Sequence, residues 1–209
     1  MLRIIHEGDD PALMERVWAF RHARFVEEMG WTELRRPDQR ERDEFDTEQT
    51  RHAVLLQGED VVGYSRLLPT CGPHLVQKFC ARASISAPCG PRIYEWSRCA
   101  TAPNASRVCG LPAADILMTG VLEGLVQLGA SAILFLTYPS LVAMMRRRGY
   151  PVQVLATLTT DNGDQVHVVF SELPADLLER HRNIHGIKGS IVSWGADVLQ
   201  RQEPCLTTV

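Results

Sequence analysis

Apolar residues recur along this chain in short blocks whose spacing changes character several times. The opening block, "LRIIH", is the compact apolar run of a first strand. "PALMERVWAFRHARFVEEMG" then takes helical spacing, with Pro11 suited to a first turn and Gly30 to a stop. Residues 31 to 50 are polar, charged and aperiodic, the pattern of an ordered loop. "HAVLLQ" and "VVGYSRLL", separated by "GED", predict a hairpin. A loop-rich stretch with one helical turn around Leu75 to Phe79 leads into "RIYEWSRCAT", which alternates as a strand does. A helix at about 111 to 129, the buried strand "SAILFLT" and a helix at about 139 to 148 follow. "VQVLATLT" and "QVHVVFSE" flank the turn "DNGD", and a last helix begins near Pro174. Hairpins followed by a strand–helix–strand–helix passage predict an α/β (α+β) fold, a mixed sheet with helices on both faces. Residues 1–190 are expected to form a single domain, with a loose tail over 191–209.

Several charges fall where this pattern calls for apolar residues. Leu13, Val17, Arg21 and Phe25 recur every four positions on one helical face, so Arg21 interrupts an apolar stripe. A lone arginine there more often buries its stem and keeps its guanidinium wet. Glu95 and Arg98 sit inside the strand "RIYEWSRCAT", where an unpaired charge would cost several kcal/mol. Asp43 and Asp46 flank Phe45 in the loop, and Arg66 follows in "YSRLLPT". Acidic runs are usually solvated. Taken together, these six charges fit one pocket at the end of the sheet, with Trp31 and Phe25 as its aromatic wall. Such a pocket suits a zwitterionic or cationic small molecule: carboxylates for an ammonium, arginines for a carboxylate, an indole face for a cation.

Composition narrows the class without choosing it. With 209 residues, 45% of them hydrophobic, the chain can bury a full core without a metal or disulfide staple. A net charge of −3 argues against nucleic-acid binding. No run reaches the roughly 18 apolar residues of a membrane span, and the N-terminus lacks a signal-peptide core, so a cytoplasmic location is expected. The six cysteines form no C-x-x-C pair and are expected to be free thiols, with no metal site. His181 and His185, four apart, are expected on a solvated helix end.

The ordered set Arg21, Phe25, Gly30-Trp31, Asp43, Asp46, Arg66-Leu67-Leu68-Pro69-Thr70, Phe79 and Glu95-Trp96-Ser97-Arg98 resembles the acyl-homoserine-lactone synthases, the LuxI-type autoinducer synthases. The resemblance covers residues 1 to 150; beyond them only the general layout agrees. It implies a GCN5-type N-acyltransferase-like three-layer sandwich whose twisted mixed sheet opens into a V-shaped cleft. It also implies a reaction joining S-adenosylmethionine to an acyl thioester, acyl-CoA or acyl carrier protein, with no prosthetic group. The amine attacks the thioester, and the methionine carboxylate then displaces methylthioadenosine to close the lactone. On this likeness Glu95 is the candidate base and Ser97 a contact for the acyl carbonyl. Asp43, Asp46, Trp31 and Phe25 would hold S-adenosylmethionine. Arg21 and Arg66 would bind its carboxylate or brace the acidic loop, and Arg98 would be a tether. Phe79, Leu136, Tyr138, Met144 and Met145 are candidates for the acyl pocket. Arg146, Arg147 and Arg148 would meet an acyl carrier protein or CoA phosphates, or form a solvated helix end favoured by the dipole. The stretch "GWTELRRPDQRERDEFDT" looks most like the branch accepting short branched-chain or aryl acyl-CoA. Two other readings stay open: an acetyl-CoA-dependent N-acetyltransferase, whose R/Q-x-x-G-x-G/A motif is absent here, and a non-catalytic S-adenosylmethionine-binding module. The oligomeric state is left undetermined.

Overall fold

A computed structural model describes residues 1–160 and 163–195. Its centre is an eight-stranded sheet whose edge is β10 (Val192–Trp194), beside β1, in the order β10-β1-β2-β3-β4-β7-β9-β8. β1 (Leu2–Ile5), β2 (Arg51–Gln57), β3 (Asp60–Pro69) and β4 (Ile93–Thr101) are antiparallel neighbours. β4 then pairs in parallel with β7 (Ala132–Thr137), which is followed antiparallel by β9 (Gln165–Glu172) and β8 (Val152–Thr159). A small hairpin, β5 (Arg107–Val108) and β6 (Leu111–Pro112), stands apart.

The helices cover both faces. α1 (Pro11–Arg21) starts on Asp10, whose carboxylate accepts from the Leu13 N–H at 3.0 Å, with Pro11 filling the first position. It runs on as a π-helical segment, His22–Glu28. α1 packs Leu13, Met14, Val17 and Trp18 on Ile5, Val54 and Tyr64. α2 (Leu75–Arg82) lies on the same face, over Leu134 and Val168. α3 (Ala113–Gln127), α4 (Pro139–Arg147) and α5 (Leu177–His185) cover the opposite face, around the main core of Leu67, Trp96, Leu117, Ile133 and Val169. The outcome is a three-layer sandwich: the helices on both faces follow the patterning, and the layering follows the family resemblance.

The sheet is split. β4 and β7 pair only at Ile93–Ala132, Tyr94–Ile133 and Glu95–Leu134. Beyond that, Trp96 to Thr101 and Phe135 to Thr137 run on unpaired to each other. Cys99, on the diverging part of β4, is an exposed free thiol.

Four expectations need correction. α2 has two turns rather than one, and Val192–Trp194 form β10, parallel to β1, where a loose tail was expected. Residues 196–209 lie outside the described residues. Cys71 is disulfide-bonded, whereas Cys80, Cys89, Cys99 and Cys109 are free. His181 is 1% exposed with its Nε2 on the Arg148 carbonyl, and His185 meets Asp115 at 3.1 Å; this helix end is packed, not solvated.

Candidate active site

Three arginines and three carboxylates meet under α1. Arg21, fully buried at the end of α1, donates from Nε to Glu41 at 2.5 Å and from both terminal nitrogens to Asp46 at 2.8 and 3.0 Å. Arg66, on β3, donates to Asp43 at 2.6 Å, to Asp46 at 3.1 Å and to the Ser97 hydroxyl at 3.1 Å. Arg98, on β4, donates to Glu41 and Asp43, each at 3.0 Å. Burial alone would push the Asp46 and Glu41 carboxyls up, but their arginine partners hold both below the usual range. Beside them burial pushes His52 down to about 3, so its ring is neutral at pH 7 and meets the Tyr64 hydroxyl at 2.8 Å. Three positive and three negative groups cancel, which is what lets so many charges be buried at all.

A bulge in β4 explains how Arg98 joins. Tyr64 pairs with Ala100 and Arg66 with Ser97, so Arg98 and Cys99 together oppose Ser65 alone. Arg98 has a positive φ of 55°, and strict alternation is broken there. Its side chain therefore reaches the same loop as Arg66. It also lies under Trp31 and Phe25, 5.0 and 5.6 Å from their ring centres, while those rings stack at 5.1 Å.

Glu95 stands outside this network. It shares a sheet face with Ser97 and is opposite Leu68, next to the Arg66–Ser97 pair. It is fully buried, and Oε2 accepts from the Val76 N–H at 2.7 Å, at the start of α2. Oε1 has no partner among the described residues. Glu95 thus stands between the charged network and the apolar patch of Val76, Cys80, Leu134, Leu136, Val168 and Phe170.

The structure separates other expected site residues. Asp46 spends its acceptor sites on Arg21, Arg66 and the Asp43 N–H, leaving none for a ligand. Phe25 is 1% exposed and covered by Trp31 and Arg98, so only the partly exposed Trp31 offers a surface. Leu136 joins the patch under α2, with Phe79 half-buried on that helix. Met144 and Met145 belong to the core on the other face, and Tyr138 is 38% exposed before α4, so these three do not line the same pocket. Arg148 is tied to Asp115, leaving Arg146 and Arg147 exposed. Two shallow troughs of about 420 and 440 Å³ lie elsewhere, beside His22, Glu27 and Gln39, far in character from this chemistry.

Glu41 was missed by the sequence reading. It lies in "RERDEFD", among charges that read as solvated, yet it is 1% exposed. Counting would have found it: three arginines facing one buried loop call for three carboxylates, and only Asp43 and Asp46 had been singled out.

A split mixed sheet, a buried carboxylate with one oxygen unpartnered among the described residues and an adjoining apolar patch make up the candidate site. The fold alone is shared with an aminoglycoside 6'-acetyltransferase type Ii, 13% identical over 79% of this chain and 93% of that one, with a TM-score of 0.52. The autoinducer synthase family profile matches residues 7–183, and the chain belongs to that family. An isovaleryl-homoserine lactone synthase of Bradyrhizobium diazoefficiens is 43% identical over 88 residues, 41% of this chain and 40% of that one, so the alignment spans about two fifths of that relative. An acyl-homoserine-lactone synthase of Ralstonia nicotianae is 33% identical over 71% of this chain and 78% of its own. Among solved structures, a CoA-dependent acyl-homoserine lactone synthase, BjaI, with SAM and isopentyl-CoA, superposes with a TM-score of 0.85. It is 28% identical over 97% of this chain and 98% of that one.

Proposed function

We propose that this chain is an acyl-homoserine-lactone synthase that joins S-adenosylmethionine to a short branched-chain acyl-CoA, in the cytoplasm. The observation that carries this reading is the place of Glu95, between a charged network and an apolar patch on one face of a split sheet. The α-ammonium must lose a proton before its nitrogen can attack a carbonyl carbon. Glu95 Oε1, with no partner among the described residues, takes that proton directly or through one water. Ser97 accepts from Arg66, which leaves its own hydrogen for the acyl carbonyl. The second terminal nitrogen of Arg66 is buried without a partner among the described residues and suits the substrate carboxylate. Trp31 offers its partly exposed indole to the sulfonium. After the amide forms, the carboxylate oxygen attacks the carbon bearing sulfur; that C–S bond breaks, and methylthioadenosine leaves as the lactone closes.

The roles of Asp46, Glu41 and Arg98 are to fix the loop over this site, with Asp43 reaching both Arg66 and Arg98. The acyl chain lies in the patch under α2, lined by Leu136 and the residues around it. Arg146 and Arg147, exposed at the end of α4, would meet the phosphates of CoA. The likeness to a CoA-dependent relative supports this donor over acyl carrier protein. The test is incubation with S-adenosylmethionine and acyl-CoAs or acyl carrier proteins of graded chain length, read by mass spectrometry. An acyl-homoserine lactone with methylthioadenosine, best from branched acyl-CoA, is the expected result. Acyl-amine without lactone, or no product from any donor, would end the proposal.

A further inference from the structure

Arg21 is held by more than its carboxylates. Its Nη1 carries two hydrogens; one goes to Asp46 at 2.8 Å and the other to the Tyr64 hydroxyl at 3.3 Å. The hydroxyl therefore accepts on this side, and its own hydrogen has one acceptor among the described residues, His52 Nδ1 at 2.8 Å. That assignment fixes the imidazole as the tautomer with its hydrogen on Nε2. Nε2 is buried with no partner among the described residues, a penalty that an apolar side chain at this position would avoid. The register shows what the arrangement serves. His52 on β2 stands opposite Arg66 on β3, and Tyr64 precedes Arg66 by two positions on the same face. Trp18 closes the group from α1, edge-on to His52 at 5.4 Å and 4.9 Å from the Arg21 guanidinium carbon.

Asp46 links the two arginines. Its Oδ1 is shared, 2.8 Å from Arg21 Nη1 and 3.1 Å from Arg66 Nη1. The hydroxyl's hold on Arg21 Nη1 thus sets how far Asp46 leans toward Arg66. Arg66 Nη2 has no partner among the described residues. Were Arg21 to slip, Asp46 would be free to take Arg66 by both terminal nitrogens, the fork geometry such pairs favour. Nη2 would then be lost to a ligand.

We propose that Tyr64 and His52 are positioning residues: they pin Arg21 to Asp46 and so keep Arg66 Nη2 free for the carboxylate of S-adenosylmethionine. This inference rests on the reading of the chain as a synthase that uses S-adenosylmethionine. Neither side chain needs to touch the substrate. His52 serves as a neutral acceptor: a protonated ring would turn Nδ1 into a donor and add a positive charge beside Arg66. Burial, which pushes its pKa down to about 3, keeps that ring neutral at pH 7.

The test is calorimetric binding of S-adenosylmethionine, and of its decarboxylated analogue, to the full chain and its variants. Tyr64→Phe leaves one hydrogen of Arg21 Nη1 unpaired and should weaken S-adenosylmethionine about 10-fold, the worth of one hydrogen bond to a charged group. The decarboxylated analogue gives Arg66 Nη2 nothing to hold and should weaken by no more than about twofold. His52→Asn keeps an acceptor for the Tyr64 hydroxyl and should stay within about threefold of wild type on both ligands. His52→Leu removes that acceptor and should fall with Tyr64→Phe. Combining Tyr64→Phe with His52→Leu should lose no more than either change alone, because both cut the same chain. Should Tyr64→Phe fail to fold, the contrast between His52→Asn and His52→Leu decides. A Tyr64→Phe chain that binds like wild type, equal losses on the two ligands, additive losses, or a His52→Asn no better than His52→Leu would each overturn the inference. So would a wild-type chain that binds both ligands equally, since nothing would then hold the carboxylate. A wild-type chain that binds neither would instead sink the functional reading, and this inference with it.

Discussion

Glu95 and Arg98 stand three positions apart on β4 and meet different partners, Glu95 the start of α2 and Arg98 the acidic loop. Alternation alone would send their side chains to opposite faces. The bulge at Arg98 and Cys99 cancels that step and keeps both on the face that carries Ser97 and Arg66. Glu95→Gln separates chemistry from structure at this point. The amide oxygen can still accept from the Val76 N–H, so stability should change by less than about 1 kcal/mol. Turnover should fall about 10²- to 10⁴-fold, because an amide cannot take the ammonium's proton. Steady-state rates beside a urea melt make the comparison; near-normal rates would remove Glu95 from the reaction.

At the scale of elements, α3 owes its closeness to β1 to two glycines. A Cβ on Gly124 would stand 2.2 Å from Ile4 Cδ1, and one on Gly120 would stand 2.8 Å from Leu2 Cδ2. Ile4 and Leu2 are both fully buried, so neither tip has open space to move into. Gly124→Val gains a few tenths of a kcal/mol in helix propensity but overpacks the contact by about 1–3 kcal/mol. Overpacking wins, and the melting temperature should drop by about 2–10 °C for a chain of this size; an unchanged value would mean that α3 can slide. Periodicity made α3, α4 and most strands legible, because each buries one face or a whole strand. It could not show the π-helical turn after Arg21, the β4 bulge or the second turn of α2. Those come from partners distant in sequence: the acidic loop at Glu41 to Asp46, the unpaired run of β7, and Glu95 beneath Val76. β10 was invisible for the same reason, since "VSW" gains its meaning only beside β1.

Over the whole molecule, residues from α1, the acidic loop, β3 and β4 depend on a single charge balance, so pH acts on the fold as a unit. His52 is the first group to feel it. Its folded pKa, pushed to about 3 by burial, lies below the ordinary 6.5. Stability linked to it is therefore complete above about pH 6.5 and is lost as pH falls toward the folded value, because the unfolded chain takes a proton the folded one refuses. His181 is lowered in the same direction, again chiefly by burial. His52 costs about 1.4 kcal/mol per pH unit inside that window. Glu41 and Asp46, both lowered against their burial by arginines, keep their contribution until pH drops below the ordinary carboxylate range near 4, and then lose it. All four shifts thus have the same sign. Urea midpoints should fall steadily from pH 7 to pH 5, before Glu41 or Asp46 titrates, and then steeply below pH 4. His52→Asn should flatten the first part of that curve and leave the acid limb, since the ion pairs of Arg21 and Arg66 remain. A wild-type midpoint constant from pH 7 to pH 5 would show that His52 gains its proton without opening the core, and that the balance is looser than its geometry implies.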